Sequence, residues 1–287
     1  MNGRKRFSRL SSGDSLFSRI IIHLVLIIAC GVSIYPIIRI LSISLRPGDK
    51  VLSTSFRIIP PDATWSNYIY ALFKTDFFLW LINSLLVAAS ASIIGVILAI
   101  SAAYSFSRFR FPGRKAGLTF LLITQMAPAT MLLLPLFIML SRLHLMDNFS
   151  GLLIAYAVTS LPFSIWILKG YFDTIPVDLE DAAKIDGCTQ IGAFLRVILP
   201  LSTPAIAIAG LFNFMTAWNE YIVARVIIQN PKLFTWTIGL TQYFGSMDAK
   251  WGLFAASAVV VSLPVMIIFL FSSRWLISGM TLGGLKE

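Results

Sequence analysis

Leu179-Glu180-Asp181-Ala182-Ala183-Lys184-Ile185-Asp186-Gly187, continued by the run to Val197-Ile198-Leu199-Pro200, is the stretch that decides how this chain is read. From Lys169 to Leu199 the chain carries five acidic and three basic side chains between two apolar segments. Locally the pattern is two short helices joined by a glycine. Pro176 suits a helix start, where its missing N–H is an unpaired donor in any case, and Asp178 and Asp181 set negative charge at the positive end of the helix dipole. Gly187 fits the position just past a helix end, where a residue without Cβ adopts the left-handed conformation at little cost. Thr189 can cap the second helix, Phe194, Val197 and Ile198 recur at helical spacing, and Pro200 ends that helix or opens the next segment. Ala182 and Ala183 leave a low-relief surface between charged neighbours, which suits close approach by another protein. A solvated loop with two helical turns has the same local pattern, so the stretch takes its meaning from its surroundings.

Those surroundings are apolar. Of 287 residues 57% are hydrophobic and 13% charged, with a mean hydropathy of +0.83, whereas soluble domains have about 45–50% apolar residues. Such a composition belongs to an integral membrane protein. The net charge of +10 would suit nucleic acid only on a soluble basic face with stacking aromatics; here it is read as membrane topology, and no nucleic-acid partner is expected. Arg4, Lys5, Arg6, Arg9 and Arg19 precede the apolar run Ile20 to Ile38, which is too long for a signal-peptide core of about 7–15 residues and is read as the first transmembrane helix. Further runs near 78–103, 117–141, 151–168, 202–228 and 252–273 are each long enough to cross about 30 Å of hydrocarbon, which makes six spans. Trp80, Trp251 and Trp275 fall near span ends, where an amphipathic ring prefers the headgroup layer. Fourteen of the 23 Lys and Arg residues lie in 1–19, 104–116, 169–199 and 274–287, against seven in 45–77, 142–150 and 229–251. The positive-inside rule then puts both termini and the 169–199 loop in the cytoplasm. The expected fold class is an all-α integral membrane protein: a cytoplasmic segment 1–19, a bundle of about six transmembrane helices over 20–273, and a cytoplasmic tail 274–287.

Several features inside the spans bear on movement. Pro36, Pro128, Pro135, Pro162 and Pro264 each free a backbone carbonyl that neighbouring helices, side chains or water must satisfy; singly each reads as a static kink, together they favour a mobile bundle. Ala88, Ala91, Ser92 and Gly95 allow helices to approach closely. Segment 45–77, with Pro60-Pro61 and the aromatics Trp65, Tyr68 and Tyr70, is the longest connection on the far side, as a small cap or an ordinary loop. The turn Ser105 to Arg114 is basic and aromatic, and reads as a positive-inside anchor, with a lipid or partner site as the alternative. Asn213, Asn219, Glu220 and Arg225 interrupt the fifth span. A charge at mid-bilayer costs about 2.5–3.5 kcal/mol, so Asn213, Asn219 and Glu220 are candidates to line a pathway. Asn213 reads equally as a helix–helix hydrogen bond, and Trp218-Asn219-Glu220-Tyr221 as an outer interface.

The search for catalysis finds little. His23 and His144 are far apart, no His-Glu-x-x-His occurs, and Cys30 and Cys188 fall in a span and a loop, so no catalytic residue, metal site or disulfide is indicated. There is no Gly-x-x-x-x-Gly-Lys-Ser/Thr phosphate loop; if ATP powers this protein, another chain hydrolyses it.

The Leu179–Pro200 stretch resembles the cytoplasmic loop of ATP-driven (ABC) importer permeases, whose pattern is Glu-Ala-Ala, three residues, Gly, nine residues, Ile, any residue, Leu-Pro. Asp181-Ala182-Ala183, Gly187, Val197 and Leu199-Pro200 take those places, with Asp for the leading Glu, Glu180 just before it, and Val for Ile. Further motifs extend the likeness: Ser44-Leu45-Arg46, Ala103-Tyr104-Ser105-Phe106, Arg110-Phe111-Pro112-Gly113, Gln125-Met126-Ala127-Pro128, Lys169-Gly170-Tyr171-Phe172, Arg274-Trp275-Leu276 and Gly283-Gly284-Leu285-Lys286. Together they resemble the smaller permease subunit of carbohydrate importers, most closely of the maltose/maltodextrin family. The resemblance implies a type I ABC importer permease fold in a bacterial or archaeal cytoplasmic (inner) membrane, importing a sugar, with another oligosaccharide or polyol as the alternative. It implies as partners a second, larger permease, an ATPase homodimer that binds the ATP and Mg, an extracytoplasmic sugar-binding protein and membrane lipid. No cofactor is expected on this chain. It further implies that Glu180, Asp181, Ala182, Ala183, Asp186, Gly187, Leu199 and Pro200 belong to the loop that couples to the ATPase. Gly283, Gly284 and Lys286 would lie in a tail inserted between ATPase subunits, and Tyr243, Gly245, Ser246 and Met247 in a loop that meets the binding protein. A secondary transporter is the rival from another class, but it would usually show internal repeats or several coupling carboxylates, and a membrane enzyme would need a catalytic constellation.

Overall fold

The structure, a computed structural model, describes residues 16–47, 59–126, 128–243 and 250–283, the last with side chains to Ser273. In lipid every backbone N–H and C=O must find its partner within its own segment, and apolar runs of this length accordingly wind into helices. In chain order α1 (Leu16–Ser44) is followed by the short α2 (Ser66–Lys74) and by α3 (Phe77–Arg108). A turn at Gly113, with φ 87°, leads to α4 (Arg114–Met126), a 3-10 turn Ala129–Leu132 and α5 (Leu133–Arg142). Next come α6 (Phe149–Thr174), α7 (Asp178–Ile185), α8 (Gln190–Ala193), a π-helical turn Phe194–Ile198 and α9 (Leu199–Leu201). The order closes with α10 (Thr203–Asn219), α11 (Ile222–Ile227), α12 (Trp236–Leu240) and α13 (Trp251–Gly283). No strand occurs among the described residues.

By length and composition α1, α3, α6 and α13 each suffice to cross a membrane, and the number among the described residues is six if each of two bent pairs counts as one span. The bends correct two of the expected spans. The run 117–141 is not one straight helix: Arg114–Met126 and Thr130–Arg142 meet at 100°. Pro128 stands extended at the break (φ −56°, ψ 132°), where it has no N–H to continue the ladder. Pro135 then falls in the first turn of α5, where that donor is not needed, so the prolines inside continuous helices are Pro36, Pro162 and Pro264. The run 202–228 ends at Asn219; Glu220 is extended and α11 starts afresh at Ile222. Upstream, Gln190–Leu201 meets Thr203–Asn219 at 76°, with Pro200 and Pro204 on either side of the bend at Ser202.

α3 is the centre of the bundle, packed along α6 and α10, while α1 lies against α13 and is exposed along most of its length. Small side chains allow the close contact: Ala88, Ala99 and Ala103 of α3, Ala155 of α6 and Ala209 of α10 are fully buried. Ser92 Oγ donates to the Gly210 carbonyl at 2.8 Å, and a Cβ on Gly95 would stand 2.9 Å from Asn213 Nδ2. Two apolar clusters result. One, around Trp80, Tyr156, Trp218 and Ile238, joins the start of α3 to α11 and α12; the other, around Tyr104, Leu168, Phe172 and Ile198, sits under α7. The 45–77 connection proves to carry a helix, α2, seated against α3 and α13.

Candidate functional site

The loop from α7 to α9 is built by local capping. Asp178, Glu180 and Asp181 occupy the first turn of α7 and Lys184 its last, each sign at the favourable end of the dipole. The helix ends at Gly187, whose φ is 89°. Its N–H donates to the Lys184 carbonyl at 3.0 Å and that of Cys188 to the Ala183 carbonyl at 2.9 Å, the two bonds of a left-handed helix stop. Thr189 then caps α8, its Oγ1 accepting from Gly192 N at 3.0 Å. One turn further the chain widens into the π turn at Phe194–Ile198, which buries Ile198 in the cluster below.

Two carboxylates that are neighbours in sequence have opposite surroundings. Asp181 faces solvent and takes a 3.0 Å contact from Lys184 Nζ. Glu180 is 1% exposed and pairs with the Arg108 guanidinium at the end of α3. Its other oxygen accepts from the Tyr104 hydroxyl at 2.7 Å and lies 3.5 Å from Gln190 Nε2. Arg108 in turn donates to the Ile175 carbonyl at 3.0 Å and to Ser107 Oγ at 3.2 Å, so every arm of the pair is occupied. Ser107 also donates to Asp173 at 2.6 Å, an acid that Lys169 holds from the preceding turn. The result is a charged brace between α3, the end of α6, α7 and α8. Arg108, Tyr104 and Gln190 were not among the site residues expected from sequence; Arg108 stood only in a turn read as a topological anchor.

Outside the brace the loop presents a low, partly apolar tip. Ala182, Asp186 and Gly187 are exposed, Ile185 is 87% and Ile191 70% exposed, and Ala183 is buried against the loop's own interior. Leu199 and Pro200 stand at the membrane end of the loop, beyond the π turn. Beside α7 a cleft of about 390 Å³ is lined by Arg108, Arg110, Arg114, Lys184, Glu180 and Gln190 among others. Such a surface can receive another protein, and the Glu180–Arg108 pair joins it to α3. Among the described residues no cluster of His, Cys, Asp and Glu is arranged to hold a metal.

The other expected sites are scattered. Asn213 is buried and accepts from Ser164 Oγ at 2.8 Å, a bond between α10 and α6. Asn219 is exposed and bonds back to the Met215 carbonyl at 2.9 Å. Glu220 caps α11, accepting from Val223 N at 2.9 Å and Ala224 N at 3.1 Å. The bonding of these three therefore runs to three different places. Tyr243 is buried, with its ring 6.2 Å from that of Trp80 and its hydroxyl 3.0 Å from Thr75 Oγ1; burial pushes its phenol above the ordinary value. Gly245, Ser246 and Met247 lie outside the described residues, as do Gly284 and Lys286; Gly283 is the last residue of α13.

Comparison with known proteins bears on the whole chain. The family described as "Binding-protein-dependent transport system inner membrane component" matches residues 91–282. The maltose/maltodextrin transport system permease protein MalG of Escherichia coli (strain K12) is 35% identical over 285 residues, 93% of this chain and 95% of that one. The maltodextrin transport system permease protein MdxG of Bacillus subtilis (strain 168) is 32% identical over 278 residues, 96% of this chain and 99% of that one. Among solved structures, a chain of a bacterial ABC transporter involved in the import of the acidic polysaccharide alginate superposes with TM-score 0.81 at 25% identity, covering 92% of this chain and 99% of that one. A chain of the MetNI methionine ABC transporter in inward-facing conformations superposes with TM-score 0.56 at 15% identity, over 69% of this chain and 93% of that one, and bears on the fold alone. A multi-pass helical bundle with this loop, matched over most of its length, belongs to the family of inner-membrane components of binding-protein-dependent transport systems.

Proposed function

We propose that this chain is one of two permease subunits of an ABC importer that carries a sugar, of the maltose/maltodextrin class, into the cytoplasm. The loop 169–199 faces the cytoplasm and docks on a separate ATPase homodimer, which binds the ATP and Mg. An extracytoplasmic binding protein delivers the sugar from the other side, meeting the segment that runs on from Tyr243 through Gly245, Ser246 and Met247. The tail from Gly283 through Gly284 to Lys286 enters between the ATPase subunits, and Asn213 borders the pathway. One observation carries the reading. The exposed tip of α7 is joined to the central membrane helix α3 through the buried Glu180–Arg108 pair, so a push on Ala182 or Ile185 is delivered to α3 rather than absorbed by a flexible coil. The sugar class rests on the likeness to maltose and maltodextrin permeases over most of the chain. The likeness to an alginate importer supports a second reading, a different oligosaccharide.

Affinity purification of the chain from detergent-solubilised native membranes tests the assembly. A second permease and an ATPase are expected with it; a lone or homo-oligomeric species in several mild detergents would move the reading to a secondary transporter. Uptake of labelled maltose into vesicles supplied with the recovered binding protein, in competition with maltodextrins, polyols and acidic oligosaccharides, decides the sugar.

A further inference from the structure

α2 has its buried side bolted to the bundle and its other side bare. Asn67 Nδ2 donates to the Ser44 and Arg46 carbonyls at 3.0 and 2.8 Å, and a Cβ on Gly252 would stand 2.7 Å from that amide. The Tyr68 hydroxyl lies 2.7 Å from Ser44 Oγ, Ala71 is fully buried, and Thr75 at the helix end meets Tyr243. These contacts clamp α2 across the end of α1 and the starts of α3 and α13, on the side of the bundle away from α7. On the other side Trp65, Ile69 and Phe73 follow one another at every fourth residue, with Tyr70 beside them, and are 66%, 55%, 76% and 47% exposed in that order. In water so much apolar surface on nine residues would be a liability.

We infer that α2 lies in the headgroup layer of the membrane with this aromatic face against lipid, holding this end of the bundle at a set depth. Its position supports lipid as the occupant. α3 has 32 residues and is about 48 Å long, against about 30 Å of hydrocarbon, which leaves roughly 18 Å to be shared by its two ends. The Phe77 end of α3, and α2 just before it, therefore fall at headgroup level. The stripe also leads on to apolar surface of a helix long enough to cross the membrane: beyond Thr75 come Phe78, Ile82 and Leu86 of α3, all exposed. The side chains are those that favour the boundary, since Trp and Tyr each join an apolar ring to a polar N–H or O–H, and the exposed Lys74 at the helix end can reach outward to water. A helix with its polar side held by protein and its apolar side in lipid resists tilting of α1 and α13 at this end.

The test uses the intact complex of this chain with its partner subunits, reconstituted into lipid nanodiscs. A nitroxide is attached at Phe73→Cys in a Cys30→Ser, Cys188→Ser background, with Asp62→Cys as the exposed loop reference and the cysteine-substituted background as the blank. The ratio of collisions with oxygen, which concentrates in lipid, to collisions with a water-soluble nickel chelate is expected to be several-fold higher at position 73 than at position 62. Access of the nickel chelate to position 73 equal to that at position 62 would overturn the inference. Shielding from both reagents would overturn it too, in favour of a protein partner on this face. Should the labelled variant fail to assemble, brominated lipid provides a second reading. The tryptophan emission quenched in wild type and missing from Trp65→Phe is expected to be a sizeable share, and no difference between the two would count against lipid contact.

Discussion

At the α7 end of the bundle the joints between helices are charged, with Glu180 on Arg108 and with Asp173, which Lys169 of its own helix holds, on Ser107, whereas at the opposite end they are mostly neutral side chains on backbone groups. There Asn67 reaches the carbonyls of Ser44 and Arg46, Asn83 Nδ2 those of Lys232 and Phe234 at 2.9 and 3.0 Å, and Ser84 Oγ accepts from Trp236 N at 2.7 Å. Asp147 and Glu220 are charged exceptions, accepting from the N–H groups of Gln229 and Asn230 and of Val223 and Ala224 respectively. A neutral hydrogen bond contributes about 1 kcal/mol net, so an end held by several of them loosens gradually. A buried ion pair behaves otherwise: removing one partner leaves the other charged and dry, at a cost of about 3–5 kcal/mol. The charged end is therefore the stiff one, and it is the end that carries the exposed tip of α7.

Substitutions can break or sharpen this contrast. Glu180→Ala strands the Arg108 guanidinium and is expected to have the largest effect, about 3–5 kcal/mol in detergent unfolding, with loss of the assembled complex. The double variant Glu180→Leu, Arg108→Met should recover most of that stability; a single variant no worse than a lost amide would end the contrast. Gly187→Pro cannot take φ 89° and removes the N–H bonded to Lys184. It should cost about 1–3 kcal/mol locally and separate ATP turnover from uptake while the chain still inserts, so wild-type uptake would refute transmission through the loop. At the neutral end Asn67→Ala is expected to cost about 1 kcal/mol for each of its two bonds, and to show as faster proteolysis between α1 and α3 with the α7 loop unchanged. Thr189→Ala should cost about 1 kcal/mol through its lost cap, measured as weaker hydrogen-exchange protection of α8. Lys184→Ala comes last. Its pair with Asp181 is exposed and worth at most about 0.5 kcal/mol, so an effect on ATPase affinity without one on stability would locate Lys184 at the docking surface.

What could be read from sequence was what local energetics decides. The apolar runs announced helices in lipid, and the glycine stop at Gly187 and the cap at Thr189 both emerged where a few neighbouring residues require them, because φ, capping and the helix dipole act within one turn. Ser92 and Gly95 were recognisable as contact positions for the same reason, although not what they would touch. Other features depend on elements far apart in the chain. Nothing at Glu180 foretells that it turns inward while Asp181 turns out, since its partner Arg108 is 72 residues away and meets it only when α3 and α7 have packed. Glu220 reads in sequence as an outer-interface residue or a candidate to line the pathway, and only the break in its span gives it the N–H groups of Val223 and Ala224 to cap. The bends at Pro128 and Ser202 and the bare face of α2 belong with these: apolar composition says that a segment prefers lipid or a core, but which side meets lipid, which meets protein and where the helix must turn are settled by neighbours that composition does not name. Sequence alone determined the class of the molecule, its helical runs and the stops of its loop; the tertiary structure decided which charges became a brace, because burial and pairing are properties of the packed bundle and not of any one segment.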